Sequence, residues 1–347
     1  MKILISCSKV KYLLGMSFAR SFRTLSIEVD LFFDDEAYEE SFRVFKNKYT
    51  HRLFWKFFSV LVRKKFFNSI KKSNPDLILI FKGAYYSPEF LKSIKDKWPA
   101  IPLFCYAPDN VFDTKYYGVS NGWIRRSIPI YDAYFIWGKF LVGKLLDFGA
   151  KRAEYIPFGY DPDIHYPVKA TVEEKKYYGS DVAFIGSWDK EREQLLNRVA
   201  DYDLKIWGDS WTKANPRLKK KWQGRAVFGE ELAKVCDSSK IILDILRPHM
   251  LPAHTMKIFE ISGCKGFLLS SRGGEFGDFF NEGEEITTFE NPEEMLSKLN
   301  FFLKHDELRA KIAEAAHKKV GRYEYVNWVK KIIAIYKELT AGRGQFD

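Results

Sequence analysis

The chain has 347 residues, of which 46% are hydrophobic and 29% are charged, as is typical of a folded globular protein. This length exceeds what one hydrophobic core usually supports, and the net charge of +11 favours anionic partners such as phosphates, nucleotides or acidic lipid headgroups. The sequence contains no run of about eighteen apolar residues, so it predicts no membrane-spanning helix.

Short β-branched and aromatic runs alternate with longer helical patterns through the first half of the chain. We predict strands at residues 2–6, 28–33, 76–81, 102–106 and 133–137. Helical patterns at 17–26, 87–97 and 139–148 separate some of these strands. Such alternation is typical of βαβ units and predicts a parallel sheet.

Residues 42–72 form an unusually basic and aromatic stretch. A helix with cations on one side and aromatic rings on the other can lie in a membrane interface, and we expect such a helix to make peripheral contact with an anionic membrane. The alternative is a helix whose apolar face packs on the sheet and whose charges are solvated.

A segment with three prolines and a glycine at 156–167 predicts a hinge, because proline interrupts regular structure. A second α/β series follows, with strands predicted at 181–186, 204–207, 241–245 and 266–270 and helices at 190–199, 230–238 and 255–263. Helical patterns at 292–305, 306–320 and 325–339 finish the chain.

These series predict the fold class α/β, with two Rossmann-like domains and a cleft between them. The expected divisions are an acceptor domain at 1–155, the hinge at 156–167 and a nucleotide-sugar-binding domain at 168–325. A C-terminal helix at 326–347 is expected to pack back toward the first domain.

The turn after the first strand of the second series is the best candidate for an anion site, because parallel sheets bind ligands at the carboxyl ends of their strands. Gly186 allows close backbone approach, Ser187 offers a hydroxyl, and Lys190 or Arg192 can meet a phosphate. The alternative is an ordinary strand-to-helix turn followed by a solvated helix start.

A second basic loop follows the strand at 241–245 and leads into the helix at 255–263. It contains Arg247, His249, His254 and Lys257, which suits a diphosphate at a helix N-terminus. Glu260 falls one helical turn after Lys257, so their side chains can project to the same side of the helix. The alternative is that the two residues form a surface ion pair.

The sequences at 181–187 and 256–270, continued at 279–286, resemble the carboxy-terminal domain of spore-maturation-type (CgeB-like) glycosyltransferases, which are relatives of the large retaining GT-B class (glycosyl transferases group 1). The resemblance covers most of 150–330, whereas the first half is similar only in its α/β pattern. It implies the GT-B architecture and a UDP- or GDP-sugar donor.

The resemblance also implies site residues. A Glu at the position of Glu260 is expected to bind the ribose hydroxyls of the donor, and a basic residue at the position of Lys257 its diphosphate. Gly186, Ser187, Arg192 and Arg247 complete the expected donor site, together with Thr255 and Met256. A cation at the diphosphate offsets the charge of the leaving group.

The sequence departs from the family pattern at two positions. Lys257 stands where Arg is commoner, and a lysine ammonium does not offer the bidentate phosphate geometry of a guanidinium. Pro252 stands where related retaining enzymes carry a Glu that contacts the transferred sugar, and we expect His249 or His254 to take a replacement role.

Asp109, which follows the strand at 102–106, is a candidate for acceptor handling, as a base if the reaction inverts. The alternative for Asp109 is simple turn chemistry.

We therefore expect a metal-independent hexosyltransferase-like enzyme of polysaccharide biosynthesis, retaining, with a glycan, lipid-linked or protein acceptor. No metal ligands are expected, because we interpret Asp161 and Asp163 as turn residues of the hinge. No tightly bound cofactor is expected either. Four scattered cysteines suit a reducing cytoplasm, with peripheral membrane contact. A non-catalytic binding protein of the same fold stays open, and nucleic acid is not an expected partner, although the charge keeps a nucleic-acid-binding protein as a weaker alternative.

Overall fold

A computed structural model of the chain describes residues 1–42, 48–113 and 122–341, without the side chains of 41–42, 48–54 and 56. It divides into two compact units. The first comprises Met1–Pro157 together with the segment that begins at Tyr325, and the second comprises Phe158–Glu324. No helix in the described ranges is long and apolar enough to cross a membrane.

The first unit contains one sheet and the helices that connect its strands. In chain order the elements are β1 (Lys2–Cys7), α1 (Leu14–Thr24), β2 (Glu28–Phe33), α2 (Asp34–Phe42), α3 (Lys48–Ser73), β3 (Leu77–Phe81), α4 (Pro88–Lys97), β4 (Leu103–Ala107), α5 (Gly122–Ser127), β5 (Ala133–Ile136), α6 (Val142–Asp147) and β6 (Ala153–Tyr155). The strand order is β2-β1-β3-β4-β5-β6, with every pairing parallel.

The central strands of this sheet are buried along their whole length, as β3 and β4 show. Helices cover both faces of a parallel sheet, so its inner strands are continuous apolar runs rather than alternating ones. Helix α4 begins where the Ser87 side chain accepts a hydrogen bond from the Phe90 N–H, and Pro88 occupies its first turn.

The second unit repeats this organisation with a smaller sheet. Its elements are α7 (Val172–Tyr178), β7 (Val182–Ile185), α8 (Lys190–Arg198), β8 (Leu204–Trp207), α9 (Pro216–Lys219), α10 (Glu230–Ser238), β9 (Ile241–Asp244), α11 (Lys257–Gly263), β10 (Leu268–Ser271), β11 (Thr287–Phe289), α12 (Pro292–Phe302) and α13 (Asp306–Val320). The strand order is β11-β10-β9-β7-β8, again with every pairing parallel. Its core includes Phe184, Leu243 and Leu269 from the three central strands.

The last helix, α14 (Tyr325–Ala341), belongs to the first unit. It packs on α1, where the rings of Phe18 and Tyr325 lie 5.2 Å apart. Arg152, just before β6, forms an ion pair of 2.6 Å with Glu338 on the same helix.

The prediction of an α/β chain with two Rossmann-like series is confirmed by these two parallel sheets. Two short edge strands, β6 and β11, have no counterpart among the predicted elements, because three residues give too little periodicity to read. Helix α11 begins two residues later than expected, at Lys257. The segment predicted as a hinge contains buried residues, among them Tyr160, Ile164 and His165.

Candidate functional site

The second sheet changes direction beside β7. This strand pairs with β8 on one side and with β9 on the other, so the loops that follow β7 and β9 leave the sheet in opposite directions. In open α/β sheets, ligands bind at such a topological switch point, outside the carboxyl ends of the strands. Both loops predicted to bind the donor therefore start at this point.

Gly186 lies in a crowded turn, where a Cβ would be 3.1 Å from Arg192 Nη1 and 3.2 Å from the Phe184 ring. Its carbonyl oxygen would lie 1.9 Å from a Cβ on Gly208 and accepts a hydrogen bond of 2.9 Å from the Trp211 indole. Its N–H donates to the Trp207 carbonyl at 2.8 Å. The absence of a side chain at Gly208 therefore lets β7 and β8 end in close contact, and the Gly186 N–H is already engaged within the unit.

Arg192 joins the two loops at the switch point. Its Nη1 donates to the Ser187 carbonyl and its Nε to the Ile245 carbonyl, each at 3.0 Å. The guanidinium also lies over the Phe184 ring, 5.5 Å from the centroid. These contacts fix the ends of β7 and β9 relative to each other, so Arg192 is placed as a positioning residue.

Arg247 is held at the same end of the sheet by Asp189. The Asp189 carboxylate caps helix α8 by accepting from the Arg192 N–H at 2.9 Å, and it also accepts from Arg247 Nε at 2.7 Å. An acid that caps a helix and holds an arginine makes the loop after β9 part of a rigid frame. Ser187 lies in the turn of this frame, half-buried.

Lys257 and Glu260 form an ion pair on the first turn of α11. Lys257 Nζ lies 2.6 Å from Glu260 Oε2, and the Glu260 carboxylate is buried. Thr255 Oγ1 accepts from the Lys257 N–H at 3.3 Å, and the Met256 carbonyl accepts from the Glu260 N–H at 3.0 Å. Thr255, through its hydroxyl, and Met256, through its carbonyl, thus shape the start of the helix.

His165 faces the other oxygen of Glu260, with Nε2 at 3.9 Å from Oε1. Its Nδ1 accepts a hydrogen bond of 3.3 Å from the Asp161 N–H. Because Nδ1 accepts, the proton of the neutral imidazole is on Nε2 and is directed toward Glu260. Glu260 therefore lies between two basic groups.

Asp244 is a buried carboxylate at the end of β9, where it accepts from Ser270 Oγ at 3.0 Å. Burial raises the pKa of Asp244. The positive charges of Arg192 and Lys257 lower it by a smaller amount. Burial by itself lowers the pKa of Lys257. The Glu260 and Asp244 carboxylates together have a larger, opposite effect, so the pKa of Lys257 lies above its usual value. Burial raises the pKa of Glu260, yet Lys257 and His165 outweigh this effect and hold it below its usual value. The site thus favours a charged lysine and a charged glutamate.

His254, which the sequence suggested for a catalytic or sugar-binding role, lies in the core of the second unit. Its side chain is 0% exposed, and the rings of Phe158, Phe259 and Phe279 surround it. Nε2 accepts from the Phe158 N–H at 3.1 Å, so Nδ1 carries the proton toward Glu275 Oε2, 2.8 Å away. Both ring nitrogens are engaged within the second unit, and we assign His254 a structural role.

Asp109 lies in the first unit, just after β4. Its carboxylate is partly exposed and forms an ion pair of 3.1 Å with Lys82, which follows β3. The carboxyl ends of two adjacent strands are joined by this pair. Asp109 remains a proposed acceptor-handling residue whose charge is already matched by a cation.

A cavity of about 730 Å³ opens at the carboxyl ends of β9, β10 and β11. Its walls include Leu246, Gly274 and Phe289, which follow or end these three strands. Its lining includes none of the predicted donor-site residues, although Glu191 and Pro248 are neighbours in sequence of Arg192 and Arg247. Among the described residues, no cluster of three or more His, Cys, Asp or Glu side chains could hold a metal ion.

Two residues of this site were missed by sequence reasoning. Asp244 carried a signal, because it is an acid in an otherwise apolar buried strand. His165 had no signal of its own, since its proximity to Glu260 depends on a fold-back of the proline-rich segment.

Comparison with known proteins finds a family that is similar to part of the chain. Residues 190–334 match a family model described as glycosyl transferase-like, which covers less than half of the chain. No curated protein sequence matches the chain.

Several solved structures share the fold across the whole chain. Sucrose-phosphate synthase from Thermosynechococcus elongatus aligns with a TM-score of 0.68 at 10% identity, over 98% of this chain and 99% of that one. A glycosyltransferase from Rickettsia africae gives 0.65 at 14% identity, over 97% and 98%. HepE from Anabaena, in complex with UDP and glucose, gives 0.59 at 12% identity, over 100% of both. The chain thus has the α/β fold of GT-B glycosyltransferases, with two Rossmann-like units.

Proposed function

We propose that this protein is a glycosyltransferase that moves a sugar from a nucleoside diphosphate donor, with the nucleotide held at the start of α11. The observation that carries the proposal is the ion pair of the partly exposed Lys257 with the buried Glu260, beside the switch point of the second sheet. The match of residues 190–334 to a glycosyl transferase-like family model supports the transferase activity.

Each part of the donor has a chemical partner in this arrangement. The Glu260 carboxylate has two acceptor oxygens for the vicinal hydroxyls of a ribose. Lys257 is the proposed partner of the diphosphate, and it offsets the charge that develops on the leaving group. Lys257 is paired with Glu260, so donor binding would give the lysine a second anionic partner. Ser187, Arg192 and Arg247 frame the diphosphate side of the site.

The finer features of the reaction belong to the same proposal. We infer a hexosyl donor carried by UDP or GDP, because HepE is described in complex with UDP-glucose. We infer retention of configuration, because a trehalose-6-phosphate synthase of the same fold (TM-score 0.64, 11% identity) is described in a study of glycosyl transfer with retention. Metal-independent transfer suits the Lys257 cation, and the proposed acceptor is a glycan, a lipid-linked molecule or a protein.

The experiment is a donor panel in two steps. UDP, GDP, UDP-glucose and GDP-mannose are titrated calorimetrically, and slow release of sugar from each bound donor is then followed without acceptor. We expect one nucleotide family to bind, and Glu260→Gln to weaken it at least tenfold, while Glu314→Gln, which changes a partly exposed glutamate of α13, leaves it unchanged. Absence of binding by every nucleotide, or equal effects of the two substitutions, contradicts the proposal.

A non-catalytic binding protein is the second candidate, and Pro252 favours it. Proline has no side-chain group that could contact a sugar hydroxyl, and the Glu expected at this position is absent. The same panel separates the two functions. Nucleotide binding without any release of sugar, over a range of metals and acceptors, favours the binding protein, whereas turnover of a bound donor favours the transferase.

A further inference from the structure

Helix α3 of the first unit has one face in the core and one in solvent. Phe58, Val62, Phe66 and Ile70 are buried at the spacing of one helical face. On the opposite side, Phe57, Val60 and Leu61 are 66%, 49% and 43% exposed. These three positions follow the i, i+3, i+4 pattern, so their side chains form one continuous apolar stripe, which we call the α3 stripe.

Lysines continue the α3 stripe along the same side of the helix. Lys64 and Lys65 lie one turn further on, and Lys71 and Lys72 close to the end of α3, all of them exposed. Lys65 pairs with Glu40 of α2. A cavity of about 350 Å³ lies here, lined by Leu61, Lys64 and Lys65 together with Glu40 and Asn68. The exposed face thus has an apolar end and a cationic end.

This combination fits a lipid surface better than a protein or a nucleic acid. Cores of protein interfaces are depleted in lysine. Nucleic acid phosphates match lysines but offer nothing to an exposed Phe, Val and Leu. A bilayer interface offers both partners, because apolar side chains enter the headgroup boundary while lysines reach lipid phosphates. The net charge of +11 adds attraction to an anionic leaflet.

We propose that the α3 stripe and its adjoining lysines dock this protein on an anionic bilayer surface. The occupant is the membrane itself, with Phe57 and Leu61 in the interface and Lys64, Lys65, Lys71 and Lys72 on the headgroups. The proposal goes beyond the transferase activity and does not depend on it. Residues 43–47, part of the basic aromatic stretch that first suggested membrane contact, lie outside the described residues.

The test is co-sedimentation of the full chain with vesicles of phosphatidylcholine alone and of phosphatidylcholine with phosphatidylglycerol. We expect binding to the mixed vesicles, at least tenfold weaker binding to the neutral ones, and loss of binding as salt is raised. Phe57→Ser with Leu61→Ser removes the apolar end, and Lys64→Glu with Lys65→Glu reverses the cationic end. Each pair is expected to weaken binding at least tenfold.

The matched control is Val172→Ser with Phe301→Ser, which changes two exposed apolar side chains of the other unit. It is expected to bind like the unchanged protein. Should a double variant fail to fold, Leu61→Ala and Lys64→Ala replace it, with a smaller loss expected. Equal binding to neutral and anionic vesicles, no binding at low salt, or unchanged binding of the α3 variants overturns the proposal. Concentration-dependent dimers in sedimentation velocity that are lost in the α3 variants, without vesicle binding, also overturn it in favour of self-association.

Discussion

His165 Nε2 lies 3.9 Å from Oε1 of Glu260, on the side of the carboxylate opposite Lys257. The histidine comes from the proline-rich segment and the glutamate from helix α11, so this contact joins two distant parts of the sequence within one unit. Because the Asp161 N–H fixes Nδ1 as the acceptor, the imidazole presents Nε2–H to Glu260. We infer that His165 orients the carboxylate that is proposed to bind ribose.

Two substitutions of His165 separate its two nitrogens. Asn reproduces the Nδ1 acceptor for Asp161 but does not reach Glu260, whereas Gln places an N–H near the position of Nε2. We expect His165→Asn to weaken nucleoside diphosphate binding about tenfold and His165→Gln to weaken it less than threefold, because one charge-assisted contact is worth about 1.4 kcal/mol or more. Equal losses in calorimetric titrations of the two variants contradict this role.

The Lys257–Glu260 pair is expected to be energetically coupled. Removing Lys257 leaves the buried Glu260 carboxylate without its counterion, so Lys257→Met is expected to lower the free energy of unfolding by about 3 kcal/mol. Glu260→Gln leaves a lysine whose side chain is 22% exposed, so its loss is expected to be about 1–2 kcal/mol. In the double variant both charges are gone, and the loss is expected to be about 1–3 kcal/mol smaller than the sum. The measurement is a denaturant double-mutant cycle.

The more exposed pair of Glu314 and Lys318 on α13, whose glutamate also pairs with Lys265, is the control for that cycle, because it joins the same two residue types nearer to solvent. Its coupling is expected to stay below about 0.5 kcal/mol. A coupling as small as this between Lys257 and Glu260 would show that the pair is not isolated from water, and would remove one support of the proposed site.

Arg192 is expected to matter for the shape of the site. Lysine has a single ammonium and cannot donate to the Ser187 and Ile245 carbonyls from one rigid plane. We therefore expect Arg192→Lys to lower the free energy of unfolding by about 1–2 kcal/mol and to weaken donor binding about tenfold. The control is Arg198→Lys at the end of the same helix, where the ion pair with Glu293 is exposed. Identical behaviour of the two variants in thermal and binding assays contradicts the prediction.

Asp34 of the first unit is expected to make stability depend on pH. Burial beside Asp35 raises the pKa of Asp34 to about 7, while Ser6 Oγ donates to it at 3.3 Å. The folded protein thus holds a proton that the unfolded chain releases near pH 3.8. This proton stabilises the fold fully below about pH 3.8, and its contribution declines as the pH rises and is lost by about pH 7.

We expect Asp34→Asn, which resembles the protonated acid, to remove this decline from the pH dependence of unfolding. The slope attributable to one proton is at most about 1.4 kcal/mol per pH unit. The exposed Asp96→Asn on α4 serves as control and is expected to keep the slope of the unchanged protein. Parallel stability curves for Asp34→Asn and the unchanged protein would contradict the assignment.

The sequence predicts the fold well because buried parallel strands are apolar along their length. The runs that became β3, β4 and β9 stand out for this reason, and Gly186 marks the end of β7. The two edge strands β6 and β11 are too short to give such a signal.

The sequence predicts only part of the arrangement of the candidate site. The i, i+3 spacing of Lys257 and Glu260 places them together, as the helix requires. Nothing in the sequence distinguishes His254, which fills the core of the second unit, from His165, which faces Glu260. Each histidine lies two residues from a proline, and only the fold decides which one is enclosed by aromatic rings.

The most direct test of the central claim compares a ribonucleoside diphosphate with its 2′-deoxy and 2′,3′-dideoxy forms, titrated against the unchanged protein and Glu260→Gln. If Glu260 accepts the ribose hydroxyls, the unchanged protein loses at least tenfold in affinity with the deoxy ligands, whereas Glu260→Gln, which already lacks the anionic acceptor, loses little further. If both proteins lose affinity by the same factor, or neither loses any, Glu260 does not bind the ribose and the proposed donor site is wrong.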